Sequence, residues 1–207
     1  MLGTDEPPLL YCGQCIWRAS APLGDLREYQ MLHAPDAKLG LVPVSKERMY
    51  VYVLRNFPVP PDRESLGDVH AAFRDATAGF GGPASGIAER IDTAIDFRAL
   101  RSVIVGDPWY RGRVLLIGYA AHATTPHLSY GLGTAIEDGL VLGELAGQHS
   151  HDLPAMLAAF QRRRFDRGST VVAHSRQLAE WEVHPPADRS AHSPLMREAV
   201  LRLSEPY

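Results

Sequence analysis

The sequence predicts a mixed α/β (α+β) fold, with an antiparallel, β-rich first part followed by a helical second part. Three observations carry this. The first 55 residues fall into short apolar or alternating runs divided by Pro, Gly and Asp. A short, continuously apolar run, Arg113–Gly118 (RVLLIG), reads as a strand covered on both faces. After it, apolar residues recur at helical spacing nearly to the end of the chain. At 207 residues, 45% hydrophobic and 22% charged, the chain is long enough and apolar enough to bury a core.

Taken from the N-terminus, the strands are expected at Tyr11–Ala19, Glu28–His33, Leu39–Val44 and Met49–Leu54. In the last of these every residue favours strands, which predicts a well-buried one. Asn56–Pro61 (NFPVPP) reads as a turn-rich break. A helix is expected from Leu66 to Ala78, capped by Ser65 with Asp68 at the capping-box position. Val69, Phe73 and Ala76 share one of its faces, and Gly79 ends it. Phe80–Gly86 (FGGPASG) reads as the most flexible segment.

After Arg113–Gly118, a loop is expected over Tyr119–Gly131. A helix from Leu132 to Gln148 follows, turning Ile136, Leu140, Leu142 and Leu145 inward. Asp152 can cap the next helix, with Pro154 in its first turn. That helix can run to Val183, roughly 45 Å at 1.5 Å per residue. Ser193-Pro194 opens a last helix over Leu195–Leu203. The implied division is residues 1–106, a sheet with one helix, and residues 107–207, one strand with long helices. No internal repeat is visible.

The formal net charge of −3 provides no global basic field for nucleic acid or anionic lipid. No apolar run approaches the roughly 18 residues of a membrane span. Residues 1–10 lack the basic and apolar regions of a secretory signal, so a cytoplasmic protein is expected. Lys38 and Lys46 are the lysines among 21 Lys+Arg, which leaves 19 arginines. The arginines are scattered, and the densest group, Arg162–Arg164 with Arg167, reads as a solvated helix face rather than a phosphate site.

Cys12-Gly-Gln-Cys15 has CxxC spacing. A zinc site needs further ligands at short spacing, and no second pair exists. Two residues three apart in a strand lie roughly 10 Å apart, beyond disulfide reach. The nine histidines, His122 and His127 among them, are scattered and read as structural or solvent-exposed.

The most informative stretch is Trp109–Glu144 (WYRGRVLLIGYAAHATTPHLSYGLGTAIEDGLVLGE). A strand ends at Gly118 and a Pro-containing loop delivers Gly131-x-Gly133 to a helix N-terminus. Glycines there permit close approach, and the N–H groups and helix dipole favour an electronegative ligand.

This stretch resembles the second FAD signature of the class A FAD-dependent aromatic hydroxylases, the para-hydroxybenzoate hydroxylase-like monooxygenases. The agreement runs through Trp109, Gly112, Arg113, Val114, Leu116, Gly118, Ala120, Ala121, His122, Pro126, Gly131, Gly133, Ala135, Ile136, Glu137 and Asp138. Tyr11-x-Gly13 with Trp17-Arg18-Ala19 is similar to the strand that opens the family's substrate sheet, which makes the CxxC incidental. Phe160 to Ser175 resembles its long C-terminal helix.

The resemblance implies a partial para-hydroxybenzoate hydroxylase-like fold, a substrate-domain sheet plus the C-terminal strand and helices of the FAD domain. It also implies FAD as cofactor, NAD(P)H as electron donor and a small aromatic substrate between flavin and sheet. Gly118, Tyr119, Pro126, Gly131, Leu132 and Gly133 would face the cofactor, Pro126 beside the reactive face and Gly131–Gly133 at the pyrimidine end. No side chain stands out as a catalytic acid or base, and none is expected to hold a metal.

Two departures qualify this. The family begins with a G-x-G-x-x-G βαβ (Rossmann) unit for the pyrophosphate, and no such motif precedes Tyr11. The chain therefore reads as the C-terminal half, expected to need a separately encoded N-terminal half or to form a homo-oligomer. Tyr119 stands where the family has an aspartate that hydrogen-bonds the ribityl chain. Losing a hydrogen bond to a charged group costs about 1.5–3 kcal/mol, so FAD binding by this chain alone is expected to be impaired. A fold repurposed as a non-redox ligand binder or cofactor-free enzyme, and an interaction module, are the alternatives that the residues leave open.

Overall fold

The computed structural model describes residues 7–188 and 190–207. The first six residues, read above as lacking a secretory signal, lie outside them. Two compact units form, one of Gly13–Leu100 and one of Arg101–Tyr207 with the chain up to Cys12.

The Gly13–Leu100 unit is built on strands β1 (Leu10–Pro22), β2 (Gln30–His33), β3 (Ala37–Pro43), β4 (Arg48–Asn56) and β5 (Asp96–Ser102), in sheet order β2-β3-β4-β1-β5. All four expected strands form, shifted by one to three residues at their ends. The β1–β4, β3–β4 and β2–β3 pairings are antiparallel. Their registers place Trp17, Val53, Leu39 and Leu32 in one row, and Arg18, Tyr52, Gly40 and Met31 in the next row on the opposite face. The first face is the core. Trp17, Ala21, Leu39, Leu41, Met49, Val51 and Val53 pack there against Phe73 and Ala76 of helix α2.

A single turn α1 (Arg63–Leu66) precedes α2 (Val69–Thr77), so the expected helix is broken in two. Ser65 does not cap it. Asp62 accepts from the Ser65 N–H, and Asp68 is the N-cap of α2, accepting from the His70 N–H. An aspartate three residues after a serine can cap its own helix as readily as close a capping box, and here it does. Phe80–Gly86, read above as the most flexible segment, is anchored at Phe80 and Ala84 and otherwise exposed. It holds a 3₁₀ turn, Gly82–Ala84, and Phe80 and Ala84 are buried in the same core, followed by α3 (Ile87–Arg90).

The second unit departs from expectation at its strand. Val114–Leu115 (β7) forms only a two-residue hairpin with Tyr110–Arg111 (β6). Val114 is 54% and Ile117 37% exposed, so this apolar run is not covered on both faces within this chain. Helices α4 (Tyr119–His122), α5 (Gly131–Gln148), α6 (Leu153–Val183) and α7 (His192–Ser204) follow. Asp152 caps α6 by accepting from the Ala155 N–H, and its 31 residues end at Val183 as expected. Trp109, Ala121, Val141, Leu145 and Phe160 form the apolar core.

The inward face of α5 is not the predicted one. Leu145 is buried and Leu142 half-buried, but Ile136 and Leu140 are 55% and 53% exposed. Thr134, Glu137, Asp138 and Val141 point inward instead. The periodicity of α5 was set by burial of two carboxylates, which hydropathy alone assigns to the outside. The arginine run is corrected for the same reason. Arg162 and Arg163 are exposed, but the Arg164 side chain is fully buried and Arg167 nearly so.

Candidate functional site

The chain leaves β7 and turns at Gly118, whose φ of 57° and ψ of −137° suit a residue without Cβ. Its N–H donates to Asp138 Oδ2 at 2.7 Å, which fixes the turn against α5. Tyr119 follows as the first residue of α4, 56% exposed. Its ring reaches back over the start of α5. A Cβ on Gly131 would lie 2.6 Å from Tyr119 Oη and 2.8 Å from Thr124 Cγ2, so only glycine fits there.

Exposed Pro126 opens a 3₁₀ turn, Pro126–Leu128, that leads to Tyr130, the N-cap of α5. No side chain caps this helix. The N–H groups of Gly131, Leu132 and Gly133 form its first turn, where an α-helix has no internal partner for them and its dipole is positive. Leu132 is 75% exposed, and Gly133 lies under the ring of Tyr130. The structure thus brings Tyr119 into contact with Gly131, and sets Gly118 against Ala135 of the same helix. Pro126, Leu132 and Gly133 arrive on the same connection and first turn.

Beneath this surface lies a charge cluster that the sequence reading did not identify. Asp138 accepts from the Gly118 N–H, from His122 Nε2 at 2.7 Å and from Arg164 Nε at 2.7 Å. Glu137 accepts from Arg164 Nη2 at 2.8 Å, from Arg167 Nε and Nη2 at 2.7 Å each, and from the Tyr130 hydroxyl at 2.9 Å. Arg167 also donates to the carbonyls of Arg202, Leu203 and Glu205 at the end of α7. Two arginines and two carboxylates balance in charge, which is what makes their burial tolerable.

Burial pushes both carboxyl groups up, but their donors outweigh it and hold both below the ordinary carboxylate range. For Glu137 those donors are chiefly Arg167, Arg164 and Tyr130, and for Asp138 they are His122, the Gly118 N–H and Arg164. Burial and the Glu137 carboxylate keep Tyr130 protonated to higher pH than usual. Each carboxylate therefore holds one side of the α5 start, Asp138 through Gly118 and Glu137 through Tyr130. The legible signal was the adjacent Glu137-Asp138 pair, with Arg164 and Arg167 one turn apart on the next helix.

The buried His122 is structural, its ring tilted by 38° against Trp109 at 5.1 Å between ring centres. Cys12 and Cys15 form no disulfide, and no group of three or more metal-ligating side chains occurs among the described residues. No described helix is long and apolar enough to cross a membrane.

Comparisons with known proteins identify the family and the fold. The FAD binding domain family matches residues 19–175. The FAD-dependent urate hydroxylase of Mycolicibacterium vanbaalenii is 31% identical over 162 residues, covering 76% of this chain and 40% of that protein. Aurachin C monooxygenase/isomerase of Stigmatella aurantiaca is 26% identical over 205 residues, covering 96% and 51%. The crystal structure of Klebsiella pneumoniae HpxO complexed with FAD and uric acid superposes with a TM-score of 0.76 at 23% identity, covering 94% of this chain and 50% of that one. The chain spans about half the length of these relatives. The mixed α/β architecture is that of the para-hydroxybenzoate hydroxylase-like flavoproteins, and the chain belongs to the FAD binding domain family of FAD-dependent monooxygenases and hydroxylases.

Proposed function

We propose that this chain supplies the ring-facing part of a flavin site and the substrate sheet of an FAD-dependent monooxygenase acting on a small aromatic compound. The unit of Gly13–Leu100 carries most of the sheet, and Arg101–Tyr207 the C-terminal part of the FAD domain. The observation that carries this is the start of α5, an 18-residue helix that begins on Gly131-x-Gly133 with no side-chain cap.

The residues present fit the ring end of FAD. Gly131, Leu132 and Gly133 place N–H donors at the positive end of the helix dipole, where negative charge on the pyrimidine end of a reduced flavin is stabilised. Pro126 is exposed on the turn before it and offers an apolar wall with no N–H of its own. Gly118 is held by Asp138, so this wall of the site is rigid. When bound, FAD supplies the redox chemistry, taking electrons from NAD(P)H and activating dioxygen. The pyrophosphate end falls to residues matching the half of the relatives that this chain does not cover, whether on another segment or a separate polypeptide.

For the substrate, the face of the sheet opposite the core carries Arg18, Tyr50 and Tyr52. Arg18 is fixed by Asp96 at 2.6 Å, and the Tyr50 and Tyr52 rings lie 5.7 Å apart. Burial raises the pKa of Tyr50, which keeps its hydroxyl a neutral donor. Planar rings and neutral hydroxyls suit a flat, polar aromatic molecule, the kind of substrate named by the urate hydroxylase relatives.

The test is a titration of the purified chain with FAD, followed by quenching of flavin fluorescence. Saturable binding in the micromolar range is expected. Leu132→Glu, which puts a carboxylate on the first turn of α5, should weaken it. Absence of saturable quenching at millimolar FAD would refute a flavin site on this chain alone.

A further inference from the structure

Resting on the flavin reading above, we propose that Tyr119 is a built-in occupant of the flavin subsite. In the ligand-free chain its ring covers the start of α5, and it must swing away before a flavin ring can reach the Gly131–Gly133 N–H groups.

Four observations support this. The Tyr119 hydroxyl and ring edge lie where a Gly131 Cβ would stand, 2.6 Å and 3.1 Å from that position. Gly131 itself is buried although it begins a helix whose next residue is 75% exposed, so its cover is local. Thr124 Cγ2 lies 2.8 Å from the same position, so Tyr119 and Thr124 together close the space beside Gly131. Finally, nothing among the described residues hydrogen-bonds that hydroxyl, and the side chain is 56% exposed, so rotation about χ1 breaks no specific bond.

The backbone beneath cannot yield in its place. The Gly118 N–H is bound to Asp138, and His122, at the other end of this short helix, is bound to the same carboxylate. Motion is therefore confined to the side chain, on the picosecond to nanosecond scale of exposed rotamers. The consequence is a competition between phenol and flavin rather than a slow gate. The apparent affinity falls by the fraction of molecules in which the ring is displaced, and a ring in place nine-tenths of the time costs about tenfold.

The experiment uses lumiflavin, which has the ring system but no ribityl or phosphate groups. It is titrated into the wild-type chain, Tyr119→Ala and Tyr119→Phe, and binding is read from flavin fluorescence. Thermal melts check that the exposed substitutions leave folding intact. Tyr119→Ala should bind lumiflavin about tenfold more tightly than wild type, and Tyr119→Phe, which keeps the ring, should stay close to wild type. Measurable binding of equal or lower affinity in Tyr119→Ala would overturn the occupant while leaving the flavin site standing. No saturable binding in any of the three would overturn both.

Discussion

Replacing Arg164 by Met tests whether the buried ionic cluster holds the α5 start. Methionine keeps most of the side-chain length and apolar volume but removes donors to Asp138, Glu137 and the Thr134 carbonyl. Glu137 retains Arg167 and Tyr130, so the burden falls on Asp138, a fully buried carboxylate left with the Gly118 N–H and His122. Breaking a buried pair by removing one partner costs about 3–5 kcal/mol, a large share of the stability of an ordinary domain. Arg162→Met, two positions away on the same helix but exposed, should change stability by less than about 0.5 kcal/mol. Urea denaturation followed by circular dichroism measures both. The pH dependence gives a second handle. Asp138 and Glu137 have lowered folded-state pKa values, so their contribution is present above the unfolded carboxylate range, about pH 4, and is lost as pH falls through the folded values. The deficit of Arg164→Met should therefore be largest near neutral pH and shrink toward pH 3. A neutral-pH deficit below about 1 kcal/mol, or one unchanged at pH 3, would refute the reasoning.

Asp152→Ala removes the acceptor that caps α6 and should cost about 1 kcal/mol in the same denaturation assay. Leu132, Ile136 and Leu140 recur every four residues and are each more than half exposed, so the chain should self-associate through this face of α5. Light scattering at rising concentration should show it, and Ile136→Lys should reduce it without lowering the melting temperature. Cys12 and Cys15 should titrate as two thiols after denaturation without reductant, and a single disulfide-linked pair would contradict their geometry on β1.

What was legible in the sequence followed from local rules. The strands of the first unit declared themselves as short apolar or alternating runs between Pro, Gly and Asp, and in Met49–Leu54 every residue favours strands; Met49, Val51, Val53 and Leu54 are all buried there. Asp152 and Pro154 marked the start of α6 because orphan N–H groups at a helix start favour a short acidic acceptor and tolerate proline. The second unit was misread where its core is polar. Apolar periodicity chose Ile136 and Leu140 as the inner face of α5, but Glu137 and Asp138 are inside. Arg164 and Arg167 read as part of a solvated face because Arg162–Arg164 and Arg167 spread around the helix instead of forming one stripe. Their partners come from α5, a pairing that only the fold supplies.

The same misreading explains the candidate site. A helix start that must present bare N–H groups to a ligand cannot spend a serine or aspartate on capping itself, so its geometry has to be held from elsewhere. Here the holding groups are moved one turn and more into the helix: Glu137 reaches back to the Tyr130 hydroxyl and Asp138 across to the Gly118 N–H, and Arg164 ties the two carboxylates together. Burying charge is costly, and the cost is met only because every carboxylate oxygen is matched by a donor. Turning Glu137 and Asp138 inward then forces Ile136 and Leu140 outward, since neighbours on a helix are set by its 3.6-residue period. The exposed apolar stripe and the buried salt-bridged cluster are thus two faces of one constraint, an α5 whose first turn carries no side-chain cap of its own.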